Sequence, residues 1–159
     1  TLFRSNLHLL IFGESTLNEG NEYEKQLHER AASSEFRDRI HFRPYSKMVQ
    51  RFYQSIDLFL LCSKGETFGT VTIEAMSFGK PVIATDSSGS PEILDGGRCG
   101  VLFEPGNSKA LANAMQKIIE QPDYAANIAD NGRQQFESKF SAKSSLVALE
   151  KVVRQLLHK

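Results

Sequence analysis

Two glutamates, Glu66 and Glu74, bracket a short segment that contains Phe68 and Gly69. A carboxylate can accept two hydrogen bonds from a vicinal diol, and the free N–H groups at a helix start suit a phosphate. Gly69 has no side chain to obstruct close approach of a ligand to the backbone. The pattern therefore favours one acidic acceptor on each flank of a diphosphate.

Simpler interpretations of the two glutamates stay open from the residues alone. A glutamate in the first turn of a helix is stabilised by about 0.3–1 kcal/mol through the helix dipole, and Glu74 is expected about one turn into a helix. Glu66 is compatible with a solvated loop residue. Two glutamates at this separation are common by chance, so their spacing does not decide between the interpretations.

The elements around this segment predict where it lies. Asp57–Cys62 is an apolar run of strand length, and helical spacing begins near Val71 and stops at Gly79, which suits a left-handed position after a helix end. Pro81–Thr85 then reads as the next strand. Ligands of open α/β sheets bind at the carboxyl ends of the strands, and the loop 65–69 is expected at that end.

The whole chain shows the same alternation of strands and helices. Near-continuous apolar runs are typical of parallel strands covered on both faces, and they occur at Leu7–Gly13, Arg39–Arg43, Asp57–Cys62, Pro81–Thr85 and Gly100–Glu104. Helices are predicted after the last strand, at Ser108–Gln121, Asp123–Phe136 and Ser141–Leu157. The pattern predicts an α/β fold with a doubly wound, Rossmann-like parallel sheet and a helical C-terminal tail.

Composition narrows the functional class. The chain has 159 residues, 19 basic and 19 acidic side chains and a formal net charge of zero. These values are typical of a single domain and do not indicate nucleic-acid binding. We interpret Cys62 and Cys99 as reduced core thiols, which favours a reducing, cytoplasmic compartment. No apolar run reaches membrane-span length. Because the chain begins with Thr, we expect it to be a piece of a longer protein.

Several other kinds of site are not supported. The sequence lacks the glycine patterns of a dinucleotide fingerprint and a phosphate-binding P-loop, and it lacks a nucleophile elbow. Its four histidines share no metal-ligand spacing, so we expect no metal or cofactor.

A wider set of motifs resembles a known family. The pair Glu66 and Glu74 has Phe68-Gly69 between its members, and Ala75-Met76 follows Glu74 directly. Further along the chain come Gly79–Ala84, Gly89-x-Pro91-Glu92 and Gly100–Phe103. This order and spacing resembles the nucleotide-sugar-binding, C-terminal half of family 4-type retaining glycosyltransferases, which have the GT-B architecture. The resemblance runs from about Leu7 to Leu157.

The resemblance implies roles for individual positions. Glu74 would bind the ribose hydroxyls, and Glu66, the candidate catalytic residue, would lie near the hydroxyls of the donor sugar. The backbone at Phe68, Gly69 and Thr70 would contact the diphosphate and the transferred hexose. The remaining implied roles are nucleobase contact by the loop Arg43-Pro44-Tyr45 and support of the donor pocket from behind by Glu92.

The chain also departs from the family pattern. Pro44 stands where the family usually has glycine, and Ser88-Gly89-Ser90 replaces a frequent glycine pair. We expect the strand–helix unit with the diphosphate-binding Arg and Lys, and the N-terminal acceptor domain, to precede residue 1. The isolated chain is therefore predicted to bind nucleotide weakly and to catalyse nothing.

The resemblance implies transfer of a hexose from a nucleoside-diphosphate sugar to a hydroxyl of a saccharide or lipid-linked acceptor, with possible peripheral membrane contact in the full enzyme. Two alternatives stay open: half of a nucleotide-sugar epimerase, and a non-catalytic nucleotide-sugar-binding module. An oxidoreductase half is disfavoured by the missing glycine fingerprint.

Overall fold

The computed structural model describes residues 6–13, 21–63, 65 and 68–157. The chain divides into two compact units, residues 1–49 and residues 50–159.

The first unit contains a pair of parallel strands, β1 (Leu9–Phe12) and β2 (Ile40–Arg43). Leu9 pairs with Ile40, and Phe12 pairs with Arg43. The helix α1 (Asn21–Ala32) connects the strands, and a short 3₁₀ turn at Arg37–Arg39 leads into β2. The imidazole ring of His28 on α1 stacks on Phe42, with 3.8 Å between the ring centroids.

The second unit is built on three parallel strands in the order β3–β4–β5. These are β3 (Phe59–Leu61), β4 (Val82–Thr85) and β5 (Val101–Phe103). The helices, in chain order, are α2 (Val49–Ser55), α3 (Thr70–Ser77), α4 (Ser90–Ile93), α5 (Ser108–Glu120), α6 (Pro122–Gln135) and α7 (Ala142–Leu157). A π-helical turn, Phe136–Phe140, joins α6 to α7.

The core of the second unit surrounds its middle strand. All four residues of β4 are buried, as a central parallel strand with both faces covered requires. Ile83 packs with Phe103 of β5 and with Ala114 and Ile118 of α5. Thus β4 is paired with a strand on each side, and the loop that leaves its carboxyl end starts from a buried strand.

Two positions of this unit favour glycine for reasons that the structure shows. Gly79 follows α3 with a φ of 62°, the left-handed conformation that the sequence indicates there. At Gly100, a Cβ atom would lie 2.8 Å from both methyl carbons of Leu94 and 3.0 Å from the carbonyl oxygen of Val82. A side chain at residue 100 would therefore have to displace Leu94 and press on the backbone of β4 where β5 begins.

The parallel α/β organisation predicted from the sequence is confirmed, and the observed strands lie within the five predicted runs. The three C-terminal helices begin and end within one residue of their predicted bounds. The prediction of two core thiols is wrong for Cys62. This residue is exposed just after β3, whereas Cys99 is buried, and both are free. An apolar run at the end of a buried strand does not show where the chain leaves the core.

Candidate functional site

The start of α3 is shaped by Gly69. This residue adopts φ 70° and ψ 41°, a left-handed conformation that favours glycine. Its carbonyl oxygen accepts the first hydrogen bond of the helix from the N–H of Thr72, at 2.9 Å. Gly69 is buried, whereas its neighbours Phe68 and Thr70 are exposed. The helix start is therefore turned by a buried glycine with exposed residues on either side.

The loop after β4 packs against this helix start. A Cβ atom at Gly89 would lie 3.3 Å from the carbonyl oxygen of Phe68 and 3.4 Å from its Cα, so the two backbones meet at Gly89. Its neighbour Ser88 has a φ of 51°, a conformation that costs a non-glycine residue strain. The loop after β4 therefore packs closely against the helix start with one glycine, Gly89, in place of a glycine pair.

A side chain of β4 holds the loop after β3 at the same end of the sheet. The hydroxyl of Thr85, the last residue of β4, donates to the carbonyl oxygen of Ser63 at 2.7 Å. Thr85 is 1% exposed, so the donor side of this hydrogen bond is buried, whereas Ser63 is exposed. The hydrogen bond holds the chain at Ser63, just after the end of β3.

Glu74 is half-buried and is the fifth residue of α3. The first turn of α3 contains no acidic residue, so the dipole effect of a first-turn glutamate does not account for this position. The Glu74 carboxylate accepts a hydrogen bond from the hydroxyl of Tyr53, 2.9 Å from Oε2. The same hydroxyl lies 3.1 Å from the carbonyl oxygen of Val71. The carboxylate thus lies back towards the start of the helix.

Tyr53 is the residue of this arrangement that the sequence did not single out. It is a core residue of α2 and is 2% exposed. Its ring stacks on Phe78 at a centroid distance of 5.4 Å. Burial, together with the hydrogen bond to Glu74 and its negative charge, raises the pKa of Tyr53 well above its usual range. A buried tyrosine normally finds a hydrogen-bond partner for its hydroxyl. This rule is the signal that could have indicated a polar contact of Tyr53 from the sequence.

The other predicted site residues are distributed as follows. Glu92 is exposed in the first turn of α4, where a helix-start stabilisation accounts for it as well as support of a pocket does. Arg43 and Pro44 belong to the first unit, at the end of β2 and just after it, and both are exposed. The guanidinium of Arg43 donates to the carbonyl oxygen of Phe42 at 3.0 Å.

Glu66 lies outside the described residues, so the convergence of Glu66 and Glu74 on one pocket stays a prediction. The structure has a cleft of about 480 Å³ along α7 and another of about 420 Å³ in the first unit. Neither of these two clefts is lined by Glu74 or by residues 68–70. Within residues 6–13, 21–63, 65 and 68–157, no cluster of three or more metal-ligating side chains occurs.

Comparison with known proteins decides the family. The family model described as "Glycosyl transferases group 1" matches residues 2–135. This chain belongs to the group 1 glycosyl transferases. A curated relative, the capsular polysaccharide biosynthesis glycosyltransferase CapM of Staphylococcus aureus, is 33% identical over 106 residues. That match covers 67% of this chain and 28% of the relative, so the chain corresponds to a minor part of the relative's length.

Solved structures of glycosyl transferases have the same fold. Anabaena Alr3699/HepE in complex with UDP has a TM-score of 0.84 and 27% identity, covering 96% of this chain and 41% of that one. The C-terminal domain of a group 1 family protein, LpcC of Francisella tularensis, has a TM-score of 0.77 and 25% identity. It covers 85% of this chain and 70% of that domain structure. The α/β fold predicted as part of a GT-B architecture is confirmed.

Proposed function

We propose that this group 1 glycosyl transferase chain is the donor-binding part of a retaining enzyme. The enzyme would transfer a hexose from a nucleoside-diphosphate sugar to a hydroxyl of its acceptor. The observation that carries the proposal is the half-buried carboxylate of Glu74, held beside the start of α3 by the hydroxyl of Tyr53. Ribose presents a vicinal diol, which a carboxylate oriented in this way can accept.

The start of α3 would receive the diphosphate. The first N–H groups of a helix lack intrahelical acceptors, and the helix dipole favours negative charge at that end. The exposed residues Phe68 and Thr70, on either side of the buried Gly69, would give a ligand access to this helix start. Stabilising the leaving diphosphate at this end would be the main catalytic contribution of the chain, because negative charge develops there as the bond to the sugar breaks.

The remaining roles are proposals that the family resemblance supports. Glu66 would act on the donor sugar next to the bond that breaks. The loop at Arg43 and Pro44 would contact the nucleobase, and Glu92 would support the pocket from behind. We assign no metal, because the chemistry proposed here uses backbone amides and carboxylates.

The acceptor would be bound by parts of the protein beyond this chain. The chain spans 28% of the length of the CapM relative, so we expect an acceptor-binding domain, and a saccharide or lipid-linked acceptor, in the whole enzyme. In the described ranges, no helix combines the length and the apolar character needed to cross a bilayer. Peripheral membrane contact and a cytoplasmic location stay predictions. The isolated chain is expected to bind nucleotide weakly and to release none from a nucleotide sugar.

Calorimetric titration with UDP tests the proposal, since UDP is the ligand of the HepE structure. Glu74→Gln removes the charge of the acceptor and keeps its size. A hydrogen bond to a charged group is worth about 1.5–3 kcal/mol, so we expect affinity for UDP to fall about tenfold or more. The matched control is Glu120→Gln, at the exposed end of α5, which should bind like the wild type. Equal affinity of Glu74→Gln and the wild type would contradict the proposal.

A further inference from the structure

The hydroxyl of Tyr53 connects α2 to α3 at the carboxylate of the proposed ribose acceptor. It lies 2.9 Å from Oε2 of Glu74 and 3.1 Å from the carbonyl oxygen of Val71. A phenol has one proton, so the two oxygens compete for it. The carboxylate is charged and lies closer, and charge-assisted hydrogen bonds are the stronger kind. The proton therefore belongs mainly to the Glu74 contact.

The position of this donor is fixed by its surroundings. The Tyr53 ring packs between aromatic side chains: it stacks on Phe78, and Phe59 is tilted against it at a centroid distance of 5.8 Å. With 2% of its surface exposed, the ring has little room to change rotamer. The hydroxyl is thus a donor whose position is set by the core of the second unit.

The acceptor, in contrast, is a flexible side chain that is only half-buried. Immobilising a rotamer-rich side chain on binding costs about 0.5–1.5 kcal/mol. Among the residues that the structure describes, Tyr53 is the one side chain that donates to the Glu74 carboxylate. Holding Oε2 leaves Oε1 and the remaining lone pairs able to accept hydrogen bonds from a ligand.

We propose that Tyr53 is a positioning residue, which orders the Glu74 carboxylate before the ribose diol of the donor nucleotide arrives. This inference rests on the proposed function and assigns it a further residue. Tyr53 touches Glu74 and acts on the ligand only through it. Its effect should therefore be confined to ligands with ribose hydroxyls.

The ionisation of Tyr53 agrees with this role. Burial and the adjacent carboxylate raise its pKa, so the phenol is neutral at physiological pH and donates to Glu74. Its protonated state makes it a poor general base, and its proton is already directed at Glu74. The arrangement is therefore suited to orientation of a neighbour.

The test is a ligand cycle on the 159-residue chain, with UDP and 2′,3′-dideoxyuridine 5′-diphosphate as the two probes. In the wild type, UDP should bind more tightly. Tyr53→Phe keeps the ring and removes the hydroxyl, and it should weaken UDP about two- to tenfold by the cost of ordering one side chain. Binding of the dideoxy probe should not change. Adding Tyr53→Phe to Glu74→Gln should cost less than it does alone.

The matched control is Tyr124→Phe, which removes a hydroxyl from a half-buried tyrosine on α6 and should alter neither affinity. If Tyr53→Phe weakened the binding of both probes equally, its role would be merely structural, which would overturn the inference. An unchanged preference for UDP over the dideoxy probe would do the same. If the wild type binds neither probe, or binds both equally, the proposed function itself fails, and this inference fails with it.

A second measurement covers the case in which Tyr53→Phe does not fold. The ζ-carbon resonance of Tyr53 in the wild-type chain reports on its hydroxyl and can be followed during both titrations. It should shift when the ribose hydroxyls of UDP donate to the Glu74 carboxylate, and it should not shift when the dideoxy probe binds. An unmoved resonance at saturating UDP would overturn the inference.

Discussion

At the scale of single residues, Tyr53 couples the stability of the second unit to alkaline pH. Its pKa is raised in the folded chain, first by burial and then by Glu74. Below the ordinary tyrosine pKa of about 10, the phenol is protonated in the folded and the unfolded chain alike. Above that pH, the unfolded chain ionises first, and the free energy of unfolding falls as the pH rises.

Tyr53→Phe removes this pH dependence. By linkage, the wild type should lose about 1.4 kcal/mol of unfolding free energy more than the variant between pH 9 and pH 11. Urea unfolding of both proteins at the two pH values measures the difference, and other groups that titrate there cancel in the comparison. A constant difference between the two proteins across this range would contradict the assigned environment of Tyr53.

The residue types of the site could be predicted from the sequence better than their contacts. The apolar neighbours of Glu74 in the sequence indicated it as a ligand candidate, because a carboxylate among apolar residues is costly unless something binds it. Its contact partner Tyr53 lies 21 positions away in the sequence, on a different helix. Spacing along one helix cannot show such a contact, and a tyrosine in an apolar stripe reads as another core residue.

At the scale of elements, α5 shows how local signals set a helix boundary. The side-chain oxygen of Asn107 accepts a hydrogen bond from the N–H of Ala110 at 2.9 Å, which caps the start of the helix. Ile118 and Ala114 on the same helix are buried against Ile83. The helix predicted at Ser108–Gln121 is observed to within a residue, since its apolar residues and the proline that follows it agree on where it lies.

Asn107→Ala should destabilise the chain by about 0.5–2 kcal/mol, since one N–H at the helix start loses its acceptor. Asn113→Ala is the matched control: it lies exposed on the same helix and should be neutral or slightly stabilising, because alanine is the better helix former. Urea unfolding midpoints compare the two variants. Equal midpoints would mean that the cap does not stabilise this helix.

The loops at the carboxyl ends of the strands were less predictable than the helices. Ser88 occupies a left-handed conformation without being glycine, so its residue type gave no signal. Gly89 was indicated by its residue type. Its contact with the backbone of Phe68, however, depends on how the two loops pack together. Such contacts depend on the tertiary structure, which overrides local preference at these positions.

At the scale of the whole molecule, burial differs between the strands and the last helix. The helix predicted at Ser141–Leu157 is present as α7, but its apolar residues Leu146, Leu149 and Leu156 are each at least 60% exposed. The sequence pattern predicted the helix itself correctly. Periodicity shows that a helix has an apolar face and does not show what covers that face.

In the proposed function, a nucleoside diphosphate binds at the start of α3, with its ribose on Glu74. Titrating UDP into the ¹⁵N-labelled chain, and following every amide resonance, tests this most directly. We expect the largest shifts at Gly69 and Thr70, with smaller ones at Glu74 and Gly89. Shifts confined to the α7 cleft around Val147 and Arg154, or no shifts at all, would contradict it.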